Sequence, residues 1–300
     1  MKKILITGTN SYVGNSIEAW LKQWPDKYLI EKISLRNEKW KDFSFSGYDV
    51  VFHVAGIAHK KESPDMKEIY DKVNHQLAVE VLKKSCSDGV KHFIFMSTGA
   101  VFTQNDKRHK DIKITTNMNY APLTMYGKSK RMAETDMIKL KKENKLRNIK
   151  IAIIRPPMIY GKGAKGNYNT LSRIAQCSLF FPDIKNQRSM LYVENLCEFI
   201  RLLINNQDEG LFHPQNKDLI NTANLVACIA KVHSKKIIRL KIFNPIINLM
   251  SMLFNPINKA FGSYIYDKEI SSHYDWKYCI VGFEESIIKT EVSELPNEDV

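Results

Sequence analysis

Tyr126 and Lys130 stand four positions apart in the segment TMYGKSK, which covers residues 124–130. On a helix, residues at i and i+4 share a face, so the lysine ammonium would lie one turn from the tyrosine phenol. A phenol has a reference pKa of about 10, and a nearby positive charge favours the phenolate and lowers that pKa. Such a pair can donate a proton to a substrate oxygen and take one from it.

Spacing alone does not single out this pair, because Tyr-x-x-x-Lys occurs three times, at Tyr28/Lys32, Tyr126/Lys130 and Tyr264/Lys268. The middle copy differs in what precedes it in the chain. The strand-like segment HFIFMS, residues 92–97, is followed by TGAV, so Thr98 stands at a strand end. A threonine hydroxyl there can hydrogen-bond the same substrate oxygen as the phenol. The alternative is a tyrosine packed under the helix beside a surface lysine.

A glycine-containing loop, TGTNSYVG, follows the first strand-like segment. Gly8 and Gly14 flank it, Ser11 stands where the usual pattern has a middle glycine, and a helical pattern begins near Val13. Backbone N–H groups and the positive end of a helix dipole at such a turn bind a pyrophosphate. The loop predicts a dinucleotide site, and a tight strand-to-helix turn without a ligand is the alternative.

The second strand-like segment ends in SLRN, residues 34–37. Folds that prefer NAD usually place Asp or Glu at this strand end, where the carboxylate binds the ribose hydroxyls. Here Ser34 and Leu35 occupy that place and Arg36 follows, and an arginine suits the 2′-phosphate of NADP. We therefore expect NADP or NAD as the cofactor, with NADP preferred. An exposed arginine without a ligand is the alternative.

The elements that must position these residues alternate between β-prone apolar runs and helical patterns over the first 160 residues. This alternation predicts an α/β fold with a doubly wound parallel sheet, formed from right-handed crossovers. From residue 161 the elements become shorter and less regular. We expect a dinucleotide-binding domain over 1–160 and a smaller substrate-binding region over 161–300, with part of 186–207 returning to the first domain.

An apolar segment over 243–266 is interrupted by Asn and Pro. It predicts a core of the substrate-binding region. A surface that docks on a membrane or on a partner is the alternative.

The composition sets broad limits on the class of protein. With 300 residues, 44% of them hydrophobic, the chain can bury one large or two modest cores. Its five cysteines show no metal-binding, redox or disulfide spacing, so we expect a cytoplasmic protein without a metal site. No apolar run is long enough for a signal peptide or a membrane span.

The formal net charge of +13 comes from lysines scattered over the chain. Because no nucleic-acid-binding motif accompanies them, we expect no nucleic-acid partner. Two interpretations stay open, namely solvated helix faces and a field that collects small anionic substrates.

The motifs in their order resemble those of the extended short-chain dehydrogenase/reductase superfamily, in its nucleotide-sugar epimerase/dehydratase branch: TGTNSYVG, DVVFHVAG, MSTGAV, YGKSK and RPPMIYG. The resemblance covers nearly the whole chain and implies a Rossmann fold. RPPMIYGKGAKGN and NQRSMLYVENL further resemble bacterial capsule and O-antigen enzymes that reduce UDP-linked 4-keto-6-deoxy-N-acetylhexosamines, and their UDP-hexose 4-epimerase relatives. The resemblance to this branch also implies a homodimer that forms through helices flanking the sheet.

By this resemblance Tyr126 is the acid and base, Lys130 lowers its pKa and holds the nicotinamide ribose, and Thr98 orients the substrate. The implied cofactor residues lie in the glycine loop and after the third strand: Gly8, Ser11, Tyr12, Val13, Gly14, Ala55 and Gly56. Asn167 and Arg188 would bind the diphosphate of a UDP-sugar, since a guanidinium forms bidentate contacts with phosphate. A plain helix cap and a surface salt bridge are the respective alternatives.

The residues after Thr98 differ from those of the dehydratases in this branch, which limits the reactions to expect. Sugar 4,6-dehydratases of this branch follow the catalytic threonine with Asp-Glu or Asp-Gln, whereas Thr98 is followed by Gly99 and Ala100, which cannot move a proton. Dehydration is therefore not expected, which leaves reduction or epimerisation. Arg36 and the similarity of RPPMIYG and RSML to the reductases favour reduction of the C4 keto group of a UDP-linked 6-deoxy-N-acetylhexosamine in surface polysaccharide synthesis. The alternatives are a UDP-glucose or UDP-N-acetylglucosamine 4-epimerase with tightly bound NAD, and a non-catalytic protein that senses the dinucleotide and binds a partner.

Overall fold

A computed structural model of the chain describes residues 1–58, 62–102, 111–146, 148–253 and 261–292. The strands in these residues are β1 (Lys2–Thr7), β2 (Tyr28–Ile33), β3 (Val50–His53), β4 (His92–Met96), β5 (Asp111–Ile114), β6 (Lys150–Ile154), β7 (Met158–Tyr160), β8 (Phe180–Pro182), β9 (Met190–Tyr192), β10 (Gly210–Phe212), β11 (Ile238–Leu240) and β12 (Ser263–Tyr266).

The α-helices in the same residues are α1 (Tyr12–Leu21), α2 (Met66–Tyr70), α3 (Leu77–Ser87), α4 (Met125–Lys142), α5 (Asn167–Cys177), α6 (Val193–Asn206), α7 (Thr222–Val232), α8 (Asn244–Leu253), α9 (Lys268–Ser271) and α10 (Phe283–Glu291). Short 3₁₀ turns cover Glu38–Lys41, Gly99–Val101, Lys241–Phe243 and His273–Trp276, and a π-helical turn covers Asp71–Gln76.

A six-stranded parallel sheet has the order β10-β6-β4-β3-β1-β2. The predicted doubly wound α/β sheet is thereby confirmed. The chain adds β2 on one side of β1 and every later strand of the sheet on the other side, so the winding direction changes between β1 and β3. In open sheets of this kind ligands bind outside the carboxyl ends of the strands at such a switch point.

Helices cover the sheet because its strands are apolar on both faces. Leu5, Val51, Phe93 and Ile151 occupy one continuous row across β1, β3, β4 and β6 and belong to a single buried cluster. Side chains of α3 and α4 complete that cluster, among them Met137. The residues between them on the strands are buried as well, which is typical of parallel sheets.

The chain divides into two compact units. The first consists of Met1–Gln104, Asn117–Pro157 and Leu196–Pro214 and contains the six-stranded sheet. The second consists of Asn105–Thr116, Met158–Asn195 and Gln215–Val300 and contains three two-stranded parallel pairs among its described residues, β5 with β12, β7 with β9 and β8 with β11. The domain boundaries that the sequence suggests, 1–160 and 161–300, stay a prediction.

Helix α4 carries the tyrosine and lysine of the opening segment. The Thr124 hydroxyl accepts a hydrogen bond from the Gly127 N–H at 3.0 Å and caps the helix start. Gly127 lies close to the 3₁₀ turn after β4, because a β-carbon added to it would stand 2.4 Å from the Ala100 carbonyl oxygen. Only a glycine allows the helix to approach this turn so closely.

Gly127→Ser tests this close approach. Because the added β-carbon forces α4 away from Ala100, we expect the free energy of unfolding to fall by about 1–3 kcal/mol, as overpacking typically does. Gly282→Ser is the matched control, since Gly282 precedes α10 with φ −72° and has nothing within 4 Å of an added β-carbon. Urea unfolding measures both variants, and equal stability of the two would contradict the close approach.

Candidate active site

The glycine loop lies against the end of β3. Gly8 has φ +113°, a left-handed conformation that favours glycine, and a β-carbon there would come within 3.1 Å of the Ala55 backbone. Gly14 is equally confined, because its β-carbon would meet Val54 at 3.1 Å and Ile6 at 3.2 Å. These glycines bring the loop and the start of α1 onto the carboxyl ends of β1 and β3.

Ser11 replaces the middle glycine without strain, since its backbone is extended at φ −74° and ψ 131°. Its hydroxyl accepts a hydrogen bond from the Gly14 N–H at 3.1 Å and caps α1. Tyr12 and Val13 form the first turn of that helix. The loop therefore presents a helix N-terminus at the switch point of the sheet, which is the feature that attracts a pyrophosphate.

Arg36 follows β2 and is exposed. The Ser34 hydroxyl accepts a hydrogen bond from the Arg36 N–H at 3.4 Å, and Leu35 is buried. Residues 34–36 thus place one cation and no carboxylate after β2.

Thr98 and Tyr126 meet through a side-chain hydrogen bond. Thr98 follows β4, and its hydroxyl also accepts a hydrogen bond from the Ala100 N–H at 3.1 Å, which caps the 3₁₀ turn. Burial raises the pKa of the Tyr126 phenol to about 12, and the hydrogen bond from Thr98 opposes that rise. The two hydroxyls that the sequence predicts to share a substrate oxygen are therefore in contact.

Lys130 lies one turn further along α4 and is buried. Its Nζ donates to the Met96 carbonyl oxygen at 2.9 Å and stands 4.5 Å from the centre of the Phe95 ring. Burial lowers the pKa of Lys130 to about 7, although the charge of Glu134 favours the ammonium. In the protein alone, burial rather than Lys130 governs the pKa of Tyr126. The lowering of that pKa by Lys130 stays a prediction.

Asn74 is a buried site residue that sequence reasoning missed. Its amide oxygen accepts from the Ile57 N–H at 2.7 Å, and its Nδ2 donates to the Ile57 carbonyl at 3.0 Å and to the Ser129 hydroxyl at 3.2 Å. Gly56 is a glycine for this reason, since a β-carbon would lie 2.9 Å from Asn74 Oδ1 and 3.4 Å from Lys130 Nζ. Asn74 sits in the π-helical turn, a distortion that is frequent at functional sites.

A buried ion pair lies one turn of α4 beyond Lys130, and the sequence analysis did not predict it. Arg155 donates from Nε to Glu134 Oε1 at 2.9 Å and from Nη2 to Oε2 at 2.8 Å. The Ser97 hydroxyl donates to Glu134 Oε1 at 2.5 Å. Glu134 stands eight positions after Tyr126 on the same face of α4, and this spacing of an acid on an otherwise buried face was the available signal.

His53 ends β3 and belongs to the core. Its ring stacks against Phe93 and Phe95, and its Nδ1 lies 2.8 Å from the Thr7 hydroxyl. Burial and the charge of Lys130 lower its pKa to about 3. The imidazole is therefore neutral at physiological pH and carries no charge to the site.

The predicted substrate residues belong to the second unit. Asn167 is exposed and is the first residue of α5, whose cap is Gly166. Arg188 is partly buried, donates from Nη1 to the Gly262 carbonyl at 2.9 Å, and pairs through its backbone with Ile220 and Tyr264. Their contacts with a diphosphate stay predictions.

Comparison with known proteins gives one family match. The model of the NAD dependent epimerase/dehydratase family matches residues 4–216. UDP-glucose 4-epimerase of Vibrio cholerae is 28% identical over 221 residues, which are 66% of this chain and 65% of that enzyme. N-acetyl-alpha-D-glucosaminyl-diphospho-ditrans,octacis-undecaprenol 4-epimerase of Escherichia coli O157:H7 is 29% identical over 275 residues, 86% of this chain and 81% of that one.

A solved structure shares the fold. UDP-glucuronic acid 4-epimerase from Bacillus cereus, solved in complex with NAD, has a TM-score of 0.71 and 16% identity and covers 96% of this chain and 97% of its own. The geometry of the loop in this chain fits a dinucleotide. The start of α1 lies at the switch point of the sheet together with Gly8 and Gly14, which have no room for a β-carbon.

Arg36→Ala tests the choice of dinucleotide. If the guanidinium binds a 2′-phosphate, the variant should bind NADPH about tenfold or more weakly while NADH binding changes little, since a charge-assisted contact of this kind is lost. Lys39→Ala, in the following 3₁₀ turn, is the control for a general loss of positive charge. Titration of each dinucleotide by protein fluorescence measures the effect, and equal losses for the two cofactors would remove Arg36 from the site.

Proposed function

Because this chain belongs to the NAD dependent epimerase/dehydratase family of NAD(P)-dependent nucleotide-sugar enzymes, we propose that it is a 4-epimerase of a diphosphate-linked hexose or N-acetylhexosamine. The observation that carries the proposal is the Thr98–Tyr126 hydrogen bond beside the buried Lys130 amine. One phenol and one hydroxyl at a single point suit proton transfer at one substrate oxygen.

Three residues of the first unit have separate roles in the proposed reaction at C4. Tyr126 takes the proton of the C4 hydroxyl while Thr98 holds the same oxygen, and the positive charge of Lys130 stabilises the phenolate. A dinucleotide, when held at the glycine loop, would accept the C4 hydride and return it. After the keto sugar turns over, Tyr126 returns the proton to the C4 oxygen, so the hydroxyl is restored with opposite configuration and nothing is consumed.

The pKa of Lys130 bears on the direction of proton flow. A value of about 7 means that the amine changes charge within the physiological range. The ammonium form favours the phenolate that removes a proton, and the neutral form favours the phenol that donates one. An epimerase cycle needs both the phenolate and the phenol of Tyr126, because C4 is first oxidised and then reduced.

Elimination of water does not suit this site. Thr98 is followed by Gly99 and Ala100, which form the 3₁₀ turn and bring no carboxylate or amide side chain to it. Dehydration across C5 and C6 needs a further acid and base, whereas epimerisation at C4 needs only the phenol.

The curated relatives favour a 4-epimerase and agree on a diphosphate. One relative takes its name from a UDP-linked hexose and the other from an N-acetylhexosamine on a polyprenyl diphosphate. In the predicted site Asn167 and Arg188 are the groups suited to that diphosphate, since a guanidinium matches two phosphate oxygens. UDP-glucose and UDP-N-acetylglucosamine are therefore the substrates to test first.

A second candidate is the reduction that the sequence motifs favour, in which the C4 ketone of a UDP-linked 6-deoxy-N-acetylhexosamine takes hydride from NADPH and a proton from Tyr126. The specific observation in its favour is Arg36, a cation after β2 where NAD-preferring folds have an acid.

Identification of the carried dinucleotide separates the two candidates. An epimerase keeps its cofactor through the cycle, so the purified protein, once denatured, should release NAD in a one-to-one ratio and should convert UDP-glucose or UDP-N-acetylglucosamine to its C4 epimer without added cofactor. Absence of bound dinucleotide, together with oxidation of NADPH by a UDP-4-keto-6-deoxy sugar, would replace the epimerase with the reductase.

Tyr126→Phe tests the acid and base. Removal of the hydroxyl should lower the turnover number by about 10²–10⁴, the usual contribution of general acid–base catalysis, while the bound dinucleotide is retained. Tyr28→Phe is a matched control, because Tyr28 also precedes a lysine by four positions but begins β2 at the amino edge of the sheet. Comparable losses in the two variants, measured by steady-state kinetics, would defeat the assignment.

A further inference from the structure

An exposed apolar surface follows β11. Ile242 is 75% exposed, Ile246 58% and Leu249 63%. Their spacing of four and three places them on one side of the helical stretch formed by Lys241–Phe243 and α8. The interpretation of segment 243–266 as a buried core is therefore wrong for Ile246 and Leu249. Residues 254–260 of that segment lie outside the described part of the chain.

The surface continues onto the neighbouring pair of strands. Ile238 of β11 pairs in register with Phe180 of β8, and both side chains are about half exposed, at 49% and 50%. The Asn244 side chain donates to the Asp183 carbonyl at 3.0 Å and fixes the start of α8 beside β8. We name this surface the α8 patch, defined by Leu179, Phe180, Ile238, Ile242, Phe243, Ile246 and Leu249.

The chain segment that contains β11 and α8 is basic. No Asp or Glu occurs between Asp218 and Asp267, whereas six Lys or Arg residues do. Five of these lie in the described part of the chain and all five are exposed: Lys231, Lys235, Lys236, Arg239 and Lys241. An acid from another element, Asp183, stands 4.0 Å from Arg239 and offsets one charge. The five exposed basic side chains thus precede α8 in the chain and alternate with the apolar residues Ile238 and Ile242.

Self-association does not suit this charge pattern. In a two-fold dimer the same residues of both copies face each other, so the basic side chains around two patches would be brought together. A membrane span does not suit it either, because α8 has ten residues and no helix among the described residues meets the length and apolar content required to cross a bilayer.

We propose that the α8 patch docks on the surface of an anionic phospholipid bilayer, with its apolar side chains among the acyl chains and headgroups and its basic side chains on lipid phosphates. An amphipathic helix with a basic border lies in the interface plane in this way. The docking is independent of the reaction at C4, and it would hold the protein at the membrane without a spanning helix.

Vesicle flotation tests the docking with the full chain. We expect the protein to float with vesicles of equal parts phosphatidylglycerol and phosphatidylcholine, and to bind phosphatidylcholine vesicles about tenfold or more weakly, because the basic border has no anionic lipid to contact. High salt should weaken binding to the anionic vesicles. Equal binding to both vesicles, or none to either, would overturn the proposal.

Paired variants identify the surface. Ile246→Glu with Leu249→Glu should abolish flotation, whereas Ile288→Glu, at a 51% exposed isoleucine of α10, should leave it unchanged. Lys236→Glu with Lys241→Glu should reduce it about tenfold, whereas Lys139→Glu with Lys142→Glu on α4 should not. If the control variants lose binding equally, the surface is elsewhere and the proposal fails.

A second copy of the chain is the competing occupant. Analytical ultracentrifugation of the lipid-free protein tests for this second copy. A dimer that Leu249→Glu converts to a monomer would mean that the patches of two copies cover each other. That result would overturn docking on the bilayer. Thermal unfolding of each variant confirms that an exposed substitution has left the fold intact.

Discussion

A buried carboxylate holds the reactive edge of the sheet together. Glu134 accepts two hydrogen bonds from Arg155, one from Ser97 and one from Arg131, and so connects α4 with the ends of β6 and β4. A buried ion pair adds little net stability, but loss of one partner costs about 3–5 kcal/mol because the other charge is left without compensation. These groups therefore depend on one another. Tyr126 and Lys130 lie on the same face of α4, and their positions relative to Thr98 follow from this contact.

The environment of the pair moves the two pKa values apart. Burial raises the pKa of Tyr126 to about 12 and lowers that of Lys130 to about 7, because each group is less stable as an ion when water is removed. The Met96 carbonyl and the Phe95 ring favour the ammonium of Lys130 without adding a negative charge to the site. The carboxylate of Glu134 also favours the ammonium, but burial outweighs it.

Two groups of basic side chains in this protein differ in their physical setting. The amine of Lys130 is buried and acts at one point, whereas the basic residues around the α8 patch are exposed and interact with any anionic surface within a Debye length. The net charge of +13 does not distinguish these settings. The absence of acids between Asp218 and Asp267 does, since it concentrates a single sign of charge beside exposed apolar side chains.

Local patterns were sufficient for the sheet and for the elements that carry the glycine loop, Tyr126 and Lys130, because strand alternation, a tight turn and an i, i+4 spacing are encoded by neighbouring residues. The roles of these residues stay predictions. The family match followed from the order of these motifs. Asn74, Glu134 and Arg155 required the tertiary structure, since their partners come from separate segments of the chain that meet only when the sheet forms. The same holds for α8: an apolar sequence is compatible with a core or with a surface, and only the packing of the other elements decides which side chains stay exposed to water.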